Sequence, residues 1–273
     1  MSDAAKAGGP RHVVAGDGDA GQRIDNFLIR TLKGVPRSHI YRILRRGEVR
    51  VNGGRIKATY RLQDGDDVRL PPVRVSSVRG AARPSDSLTK KIEESILYED
   101  DLVLAIDKPS GLAVHGGSGV SVGAIEALRA IRPRDPELEL VHRLDRDTSG
   151  VLLLAKRRSA LRTLHGILRE GRADKRYLTL LCGRLRRDRV SVTVPLRKNV
   201  LHGGERVVRV DPQGKASRTD FRVLRRYADA FLAEARLHTG RTHQIRVHAQ
   251  YLGHPVAGDR RYGDDDANRK FSG

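Results

Sequence analysis

One charged loop, His142–Ser149, carries the residues best suited to chemistry, and it leads directly into the apolar run Val151–Ala155. A polar loop joined to a buried strand is held by a rigid scaffold, which is where catalytic groups are commonly found. Asp145 lies in this loop between Arg143 and Arg146. The residues alone leave two alternatives for Asp145: a nucleophile, or a carboxylate that only pairs with these arginines.

A metal-dependent nuclease is one competing chemistry for the same loop. Its ligands would be His142, Asp145, His243 and His248. Only two of these histidines are close in the chain, five residues apart, and neither lies in a recognised ligand spacing. The sequence therefore predicts no metal site.

Other chemistries are also disfavoured. Asp145 and Asp147 lie two residues apart in one loop, whereas a glycosidase pair faces a bond from both sides. The glycine-rich loop 116–119 lacks the Lys-Ser/Thr of a phosphate-binding loop, and Cys182 lies in an apolar run where burial is expected. A single ionised aspartate, with an arginine beside it and a tyrosine to stack on a base, suits attack on a nucleoside held out of its helix.

The charge balance indicates a polyanionic partner. Lys and Arg total 53 against 33 for Asp and Glu, which gives a net charge of +20 and a pI near 10.8. RNA or DNA is the commonest partner of so basic a protein. The sequence lacks an apolar run of roughly 18 residues and a signal-peptide core, and one cysteine excludes an internal disulfide. We therefore expect a cytoplasmic protein with no membrane partner.

The first part of the chain predicts a small domain of two helices and a sheet. Apolar residues at helical spacing predict a helix over 24–32. A second helix follows, with Ser38 as its N-cap and Gly47 at its end. The Asn52-Gly53 pair predicts a tight hairpin turn, and a further strand covers 68–70.

This small domain carries a basic face. Its candidate RNA-binding residues are Arg37, Arg42, Arg45, Arg46 and Arg50. The alternative is a solvated charged face, but the overall charge excess and the adjacent hairpin favour RNA contact. The segments 23–25, 35–38 and 47–53 resemble the RNA-binding domain named after the fourth protein of the small ribosomal subunit.

The rest of the chain predicts a larger domain, so that the whole protein is α+β with a mixed, largely antiparallel sheet in this second domain. We expect a disordered segment over 1–12, the RNA-binding domain over 13–75, a linker over 76–91 and the catalytic domain over 92–273. Side chains along a strand alternate between the two faces of the sheet, so the strand predicted over 175–182 has Tyr177, Thr179 and Leu181 on one face.

Three separated segments resemble the family of pseudouridine synthases that modify ribosomal RNA. They are His142–Gly150, Gly240–His248, and Asp107–Gly111 together with Val114–Gly117. The likeness extends from about residue 13 to 262 and thus covers nearly the whole chain. It implies an enzyme that isomerises particular uridines of large-subunit (23S) ribosomal RNA to pseudouridine.

The resemblance also implies roles for four residues. Asp145 corresponds to the catalytic aspartate, which attacks the nucleoside so that uracil detaches from its glycosidic nitrogen, turns and rejoins the ribose through carbon five. Tyr177 corresponds to the tyrosine that stacks on uracil and acts as a base toward a ribose proton, and Arg246 to the arginine that pairs with the aspartate. Arg143 corresponds to a residue that enters the gap left by the extruded nucleotide, for which a planar guanidinium is suited. No cofactor or metal is implied.

Members of this family usually continue for several tens of residues beyond the region of 259–263. This chain ends after the polar run 264–273, so an incomplete catalytic domain with an open sheet edge and reduced stability is expected. An RNA-binding protein whose catalytic domain is inactive through truncation is the alternative function. The implied partner is large-subunit ribosomal RNA, free or in a precursor particle, and the protein is expected to be a monomer.

Overall fold

The computed structural model describes residues 9–32, 34–73, 84–116, 122–202 and 205–271. The chain divides into two compact units, residues 1–163 and 164–273. The first unit contains helices α1 (Ile24–Thr31), α2 (Arg37–Arg46), α3 (Asp86–Glu94) and α4 (Ala124–Ile131). Its strands are β1 (Arg11–Val14), β2 (Arg50–Val51), β3 (Gly54–Arg55), β4 (Asp67–Leu70), β5 (Ile96–Glu99), β6 (Val103–Lys108), β7 (Glu139–Leu140) and β8 (Gly150–Ala155).

The small N-terminal domain has the predicted two helices and a sheet of order β1-β4-β2-β3. Its core contains apolar residues of both helices, including the fully buried Ile24, Leu28 and Ile40. Asn52 (φ 49°) and Gly53 (φ 76°) take the left-handed conformation that a two-residue hairpin turn requires. The predicted hairpin is confirmed.

The ends of two elements in this domain differ from the prediction. Helix α2 begins at Arg37, directly after Pro36, and has no side-chain cap, so the assignment of Ser38 as its N-cap is wrong. Strand β1 begins at Arg11, within the segment 1–12 that was expected to be disordered, because it pairs with β4 along its length. Residues 1–8 of that segment lie outside the described residues.

The predicted linker, 76–91, is partly helical. Residues 74–83 lie outside the description, but 86–91 belong to α3. The Ser85 hydroxyl caps this helix by accepting from Leu88 N (3.3 Å), and Ile92 on its inner face is fully buried. A capped helix with a buried residue is a folded element. The prediction of a flexible linker is therefore wrong for residues 86–91.

The second sheet of the first unit has the order β5-β6-β8-β7, and its strands pair antiparallel. Alternate residues of its central strands, such as Leu104, Ile106, Leu152 and Leu154, are fully buried. Pairing of β6 with β8 places Lys108 opposite Gly150, which has a φ of 111°. This sheet supports the Asp145 loop, which lies between β7 and β8.

The second unit is built on a sheet of order β10-β13-β14-β9, with all of these neighbours antiparallel. Its elements are the strands β9 (Lys175–Cys182), β10 (Arg189–Val192), β11 (Leu196–His202), β12 (Glu205–Val210), β13 (Thr219–Arg226) and β14 (Ala230–Leu237), and the helices α6 (Gln244–Tyr251) and α7 (Asp265–Arg269). Helix α5 (Arg158–Arg169) contains the boundary between the units. The α+β class with a largely antiparallel sheet is confirmed.

Two features of this unit were not predicted. Strands β11 and β12 form a separate two-stranded sheet. The outer edge of β9 is partly covered, because Cys182 N donates to Pro255 O and Ala257 N donates to Leu180 O, both at 2.9 Å. Across the described residues, none of the helices combines the length and apolar composition needed to cross a membrane.

Candidate active site

The Asp145 loop joins β7 to β8 and is anchored at both ends. Leu153 N of β8 donates to His142 Nε2 (3.1 Å), and Leu144 is buried beneath the loop. Thr148 N donates to Asp145 O (3.2 Å), which closes a turn at the catalytic candidate. Asp145 is half-buried in a loop whose backbone is fixed on either side.

Lys108, the last residue of β6, is fully buried and holds this loop from within the fold. Its Nζ donates to three backbone carbonyls, of Pro109 (2.9 Å), Leu112 (2.8 Å) and Arg146 (3.0 Å). An ammonium has three donors, so this set satisfies all of them. Because Arg146 follows Asp145 directly, the lysine ties the catalytic candidate to the segment after β6.

A second link and a charge interaction act at the same place. Ser110 Oγ donates to Asp147 O (2.8 Å). Burial lowers the pKa of the Lys108 ammonium, while the carboxylates of Asp147 and Asp145 oppose that change. The motifs of the chain give Lys108 no role. A lysine at an inward position of an apolar strand is nevertheless a signal, because an unpartnered charge is not tolerated there.

The two arginines of the loop are exposed. Arg146 Nε donates to Asp147 Oδ1 (3.1 Å), so one of the two proposed partners of Asp145 pairs with its neighbour instead. Arg143 is exposed, two residues before the half-buried Asp145. Its predicted entry into an RNA helix stays a prediction.

Tyr177 lies on β9 of the second unit, opposite Ala235 of β14. It is half-buried and packs against a core cluster that includes Leu181 and Phe231. Leu178, the next residue along, is 71% exposed. The predicted alternation along this strand is therefore confirmed, with Tyr177 on the face that carries the core.

Arg246, on α6, is held by a buried carboxylate that no sequence motif identifies. Its Nε and Nη2 donate to the two oxygens of Asp259, at 2.6 and 2.7 Å. Its guanidinium lies 4.8 Å from the ring centroid of Tyr262. A bidentate pair and a ring face together fix a planar guanidinium in one orientation.

Tyr262 is itself fixed by hydrogen bonds. Its hydroxyl accepts from Val208 N (3.0 Å) and lies 2.7 Å from His243 Nδ1. His243 precedes α6 with the left-handed φ of 53°. His243 therefore links the start of α6 to Tyr262.

Asp259 is buried yet ionised at neutral pH. Burial acts to raise the pKa of its carboxyl, but the hydrogen bonds from Arg246, Arg261 N and Tyr262 N outweigh it and hold that pKa below its usual range. The segment Gly258–Tyr262 carries no sequence pattern that points to this role. Asp259 and Tyr262 are recognised only by what they touch.

The remaining histidine candidate has a structural role. His248 is fully buried between Ser217 Oγ (3.0 Å) and Thr219 Oγ1 (2.9 Å), and burial lowers its pKa. Arg241 Nε donates to Ala216 O (3.0 Å). Within the described ranges, no group of three His, Cys, Asp or Glu side chains could hold a metal ion.

The predicted RNA-binding arginines lie on the small N-terminal domain. Arg42, Arg45, Arg46 and Arg50 are exposed on α2 and β2, whereas the side chain of Arg37 lies outside the described residues. Arg42 Nη2 lies 3.2 Å from His39 Nδ1, and Arg46 forms a loose pair with Glu48 (3.8 Å). These cations face solvent, as phosphate contact requires, and their RNA contact stays a prediction.

The candidate catalytic residues fall into two sets. Asp145 and Arg143 belong to the first unit, and Tyr177 and Arg246 to the second. Within each unit a buried charge, Lys108 or Asp259, orients the neighbouring candidate. That the two sets form a single active site stays a prediction.

Two known families match this chain. The family described as RNA pseudouridylate synthase matches residues 102–251, more than half of the chain, and the S4 domain matches residues 22–68. The chain therefore belongs to the RNA pseudouridine synthase family, a family of isomerases, and carries an N-terminal S4 domain.

Named relatives specify this further. Ribosomal large subunit pseudouridine synthase C of Escherichia coli (strain K12) is 58% identical over 255 residues, which cover 93% of this chain and 80% of the relative. The protein of the same name from Haemophilus influenzae (strain ATCC 51907 / DSM 11121 / KW20 / Rd) is 56% identical over 256 residues, covering 93% and 79%.

Two solved structures have a similar fold. Human RNA Pseudouridylate Synthase Domain Containing 1 has a TM-score of 0.57 at 29% identity, covering 69% of this chain and 75% of that one. Human RNA Pseudouridylate Synthase Domain Containing 4 has a TM-score of 0.56 at 26% identity, covering 66% and 72%. The likeness supports the fold predicted from the three family segments.

Proposed function

We propose that this protein converts particular uridines of large-subunit (23S) ribosomal RNA to pseudouridine, with Asp145 as the nucleophile. The Asp145 loop carries the proposal, because Lys108 ties it to the segment after β6 and so unites two of the three family segments. The names of the relatives supply the class of RNA.

The proposed reaction is an isomerisation that consumes no co-reactant. The Asp145 carboxylate attacks the nucleoside and the bond between uracil N1 and ribose C1′ breaks. Uracil turns and C5 bonds to ribose C1′, while the bond between Asp145 and the nucleoside breaks and restores the carboxylate. C5 loses a proton and N1 gains one. Tyr177 stacks on the uracil and acts as a base, and Arg246 pairs with Asp145 to keep it ionised.

Arg143 occupies the gap that the extruded nucleotide leaves. Extrusion costs a few kcal/mol, which phosphate contacts of a strongly basic protein offset. The S4 domain, with exposed arginines on α2, contributes part of this contact. The RNA is free or in a precursor particle, and the enzyme acts as a cytoplasmic monomer.

The alternative of an RNA binder with an inactive catalytic domain is not favoured. Alignment to the Escherichia coli relative covers 93% of this chain, so it includes all three family segments even if the uncovered residues all lie at one end. Those segments contain Asp145, Arg143 and Arg246.

The test is to map pseudouridine after purified protein has reacted with a transcript of large-subunit ribosomal RNA. We expect carbodiimide-dependent primer-extension stops with the wild type and none with Asp145→Asn, whose RNA affinity should be unchanged. Asp101→Asn, an exposed turn carboxylate, is the matched control and should retain the stops. Stops that persist in Asp145→Asn would sink the proposal, and absence of stops with the wild type would favour the RNA binder.

A further inference from the structure

An arginine-rich surface lies at one end of the sheet of the second unit, and the proposed reaction does not use it. We call it the arginine face, defined by six exposed residues: Arg184, Arg186, Arg187, Arg189, Arg225 and Arg226. The first three lie between β9 and β10, and the last two end β13. Two chain segments thus bring their cations to the same end of the sheet.

The pairing of β10 with β13 also places positive charges next to each other near this end of the sheet. Arg189 of β10 lies opposite Arg222 of β13. Like charges placed directly opposite on neighbouring strands are destabilising, and a bound anion would relieve this repulsion. It is therefore a feature that a polyanionic ligand would explain.

The carboxylates of the described residues neutralise only part of this charge. Arg226 pairs with Asp188 (2.6 Å), and Arg222 pairs with Glu234 (3.4 Å). The segments 184–189 and 225–229 contain six arginines and two aspartates, a net charge of +4. A local excess of this size attracts a phosphate backbone.

A cavity of about 320 Å³ opens among these arginines. Three of them line it, together with Leu185, Tyr227, Ala230 and Phe231. Tyr227 is 45% exposed, and the Arg225 guanidinium lies 5.3 Å from its ring centroid. Aromatic rings beside guanidinium groups bind unpaired bases by stacking while the cations bind phosphate.

The arginine face is separate from the proposed uracil site but lies on the same sheet. Tyr177 pairs with Ala235, whereas the cavity residue Phe231 pairs with Leu181, four residues further along β9. At roughly 3.3 Å per residue the two positions are about 13 Å apart along the strand. One RNA molecule can therefore reach both.

We propose that the arginine face binds the phosphates of a single-stranded RNA segment adjoining the modified uridine, and that the cavity receives one of its unpaired bases. The inference rests on the proposed function for the identity of that RNA. The arginine face would be a second RNA-binding surface, in addition to that of the S4 domain. An acidic protein is the competing partner, but it would leave the aromatic and apolar cavity without an occupant.

The test measures binding of a fluorescein-labelled twelve-nucleotide oligouridine by anisotropy over a range of salt concentrations. The variant Arg186→Ala/Arg187→Ala/Arg225→Ala should bind about tenfold more weakly, with a salt slope smaller by about 2, since each phosphate contact to a single strand contributes about 0.7. The matched control, Lys90→Ala/Lys91→Ala/Arg134→Ala, removes three exposed cations from the first unit. It should change affinity less than twofold.

The cavity is tested by a second pair of variants. Tyr227→Ala should weaken binding about fivefold or more, while Tyr227→Phe should stay within twofold of the wild type, because stacking needs the ring and not the hydroxyl. Equal losses in the two triple variants, or wild-type affinity of Tyr227→Ala, would overturn the proposal. If poly-glutamate binds as tightly as oligouridine, and if that binding also requires these arginines, the face would be assigned to an acidic protein.

Pseudouridine formation by the wild type is followed in parallel on the ribosomal RNA transcript. If no pseudouridine forms, the proposed function fails whatever the oligouridine result. If pseudouridine forms and the triple variant binds oligouridine like the control, only the arginine face is refuted.

Discussion

At the scale of single residues, two buried charges position the catalytic candidates. Lys108 is satisfied by three carbonyls, and Asp259 by a bidentate arginine and two backbone N–H groups. A buried charge is tolerated only when it is paired or hydrogen-bonded. Moving the partners away would leave the charge unpaired at a high free-energy cost, so each set of partners keeps its position. Asp145 is held because it adjoins Arg146, whose carbonyl binds Lys108, and Arg246 is held because it pairs with Asp259.

Replacing Lys108 by methionine should destabilise the protein and reduce activity. Methionine fills a similar volume but leaves three carbonyls without their donor, and each unsatisfied buried group costs about 1–3 kcal/mol. We expect the free energy of unfolding to fall by about 3 kcal/mol, measured by urea denaturation. We also expect turnover to fall, because the Asp145 loop loses its link to the segment after β6.

Lys91→Met is the matched control, since Lys91 is exposed on α3. It should leave both the urea midpoint and turnover close to those of the wild type. A Lys108→Met protein as stable and as active as this control would show that the three hydrogen bonds do not hold the loop.

At the scale of elements, helix α2 separates two functions on its two faces. Ile40, Ile43 and Leu44 are buried in the core of the small domain, while its arginines are exposed. The left-handed Gly47 (φ 69°) ends the helix and turns the chain toward the hairpin. The apolar face fixes the helix, and the opposite face is left to meet RNA.

Replacing Arg42, Arg45 and Arg46 together by alanine should weaken RNA binding. If each contacts one phosphate, the slope of log affinity against log salt should become smaller by about 2 to 3. Filter binding of the ribosomal RNA transcript at several salt concentrations measures it. An unchanged slope, beside an unchanged circular dichroism spectrum, contradicts the predicted contact.

At the scale of the whole molecule, the net charge is +20, so the carboxylates are outnumbered by cationic partners. Hydrogen bonds lower the pKa of several carboxyls, among them Asp25, Asp66 and Asp259, despite their burial. At Asp220 burial acts to raise the pKa, but hydrogen bonds from Arg218, Ser191 and His238 lower it to about 2. Such groups stabilise the folded state above the pKa of the unfolded chain.

The thermal midpoint should therefore fall as the pH is lowered from about 4 to about 2, because the folded state loses its advantage as these carboxyls become protonated. Asp220→Asn should lower the midpoint at pH 7 by roughly 2–4 °C, the shift expected for each kcal/mol lost. It should also make the acid-induced fall shallower. Asp64→Asn, at an exposed turn, is the control, and an identical pH profile in both variants would refute the role of Asp220.

Much of the fold could be predicted from local patterns. Apolar spacing identified α1 and α2, the Asn52-Gly53 pair identified its hairpin, and the alternation in β9 placed Tyr177 on the core-facing side. The errors fell at element ends and in polar segments. Helix α3 and strand β1 were missed because a capping serine or one pairing partner, and not an apolar period, holds them in place.

The sequence by itself determined the chemistry available to this protein: a basic chain, an aspartate in a charged loop before a buried strand, and three family segments in order. Only the tertiary structure assigned Lys108 to that loop, Asp259 and Tyr262 to Arg246, and a cavity to the arginine face. Periodicity and turn preferences act between near neighbours and can be read along the chain. A hydrogen bond such as that from Lys108 to the carbonyl of Arg146 joins residues 38 positions apart, and folding alone brings them together.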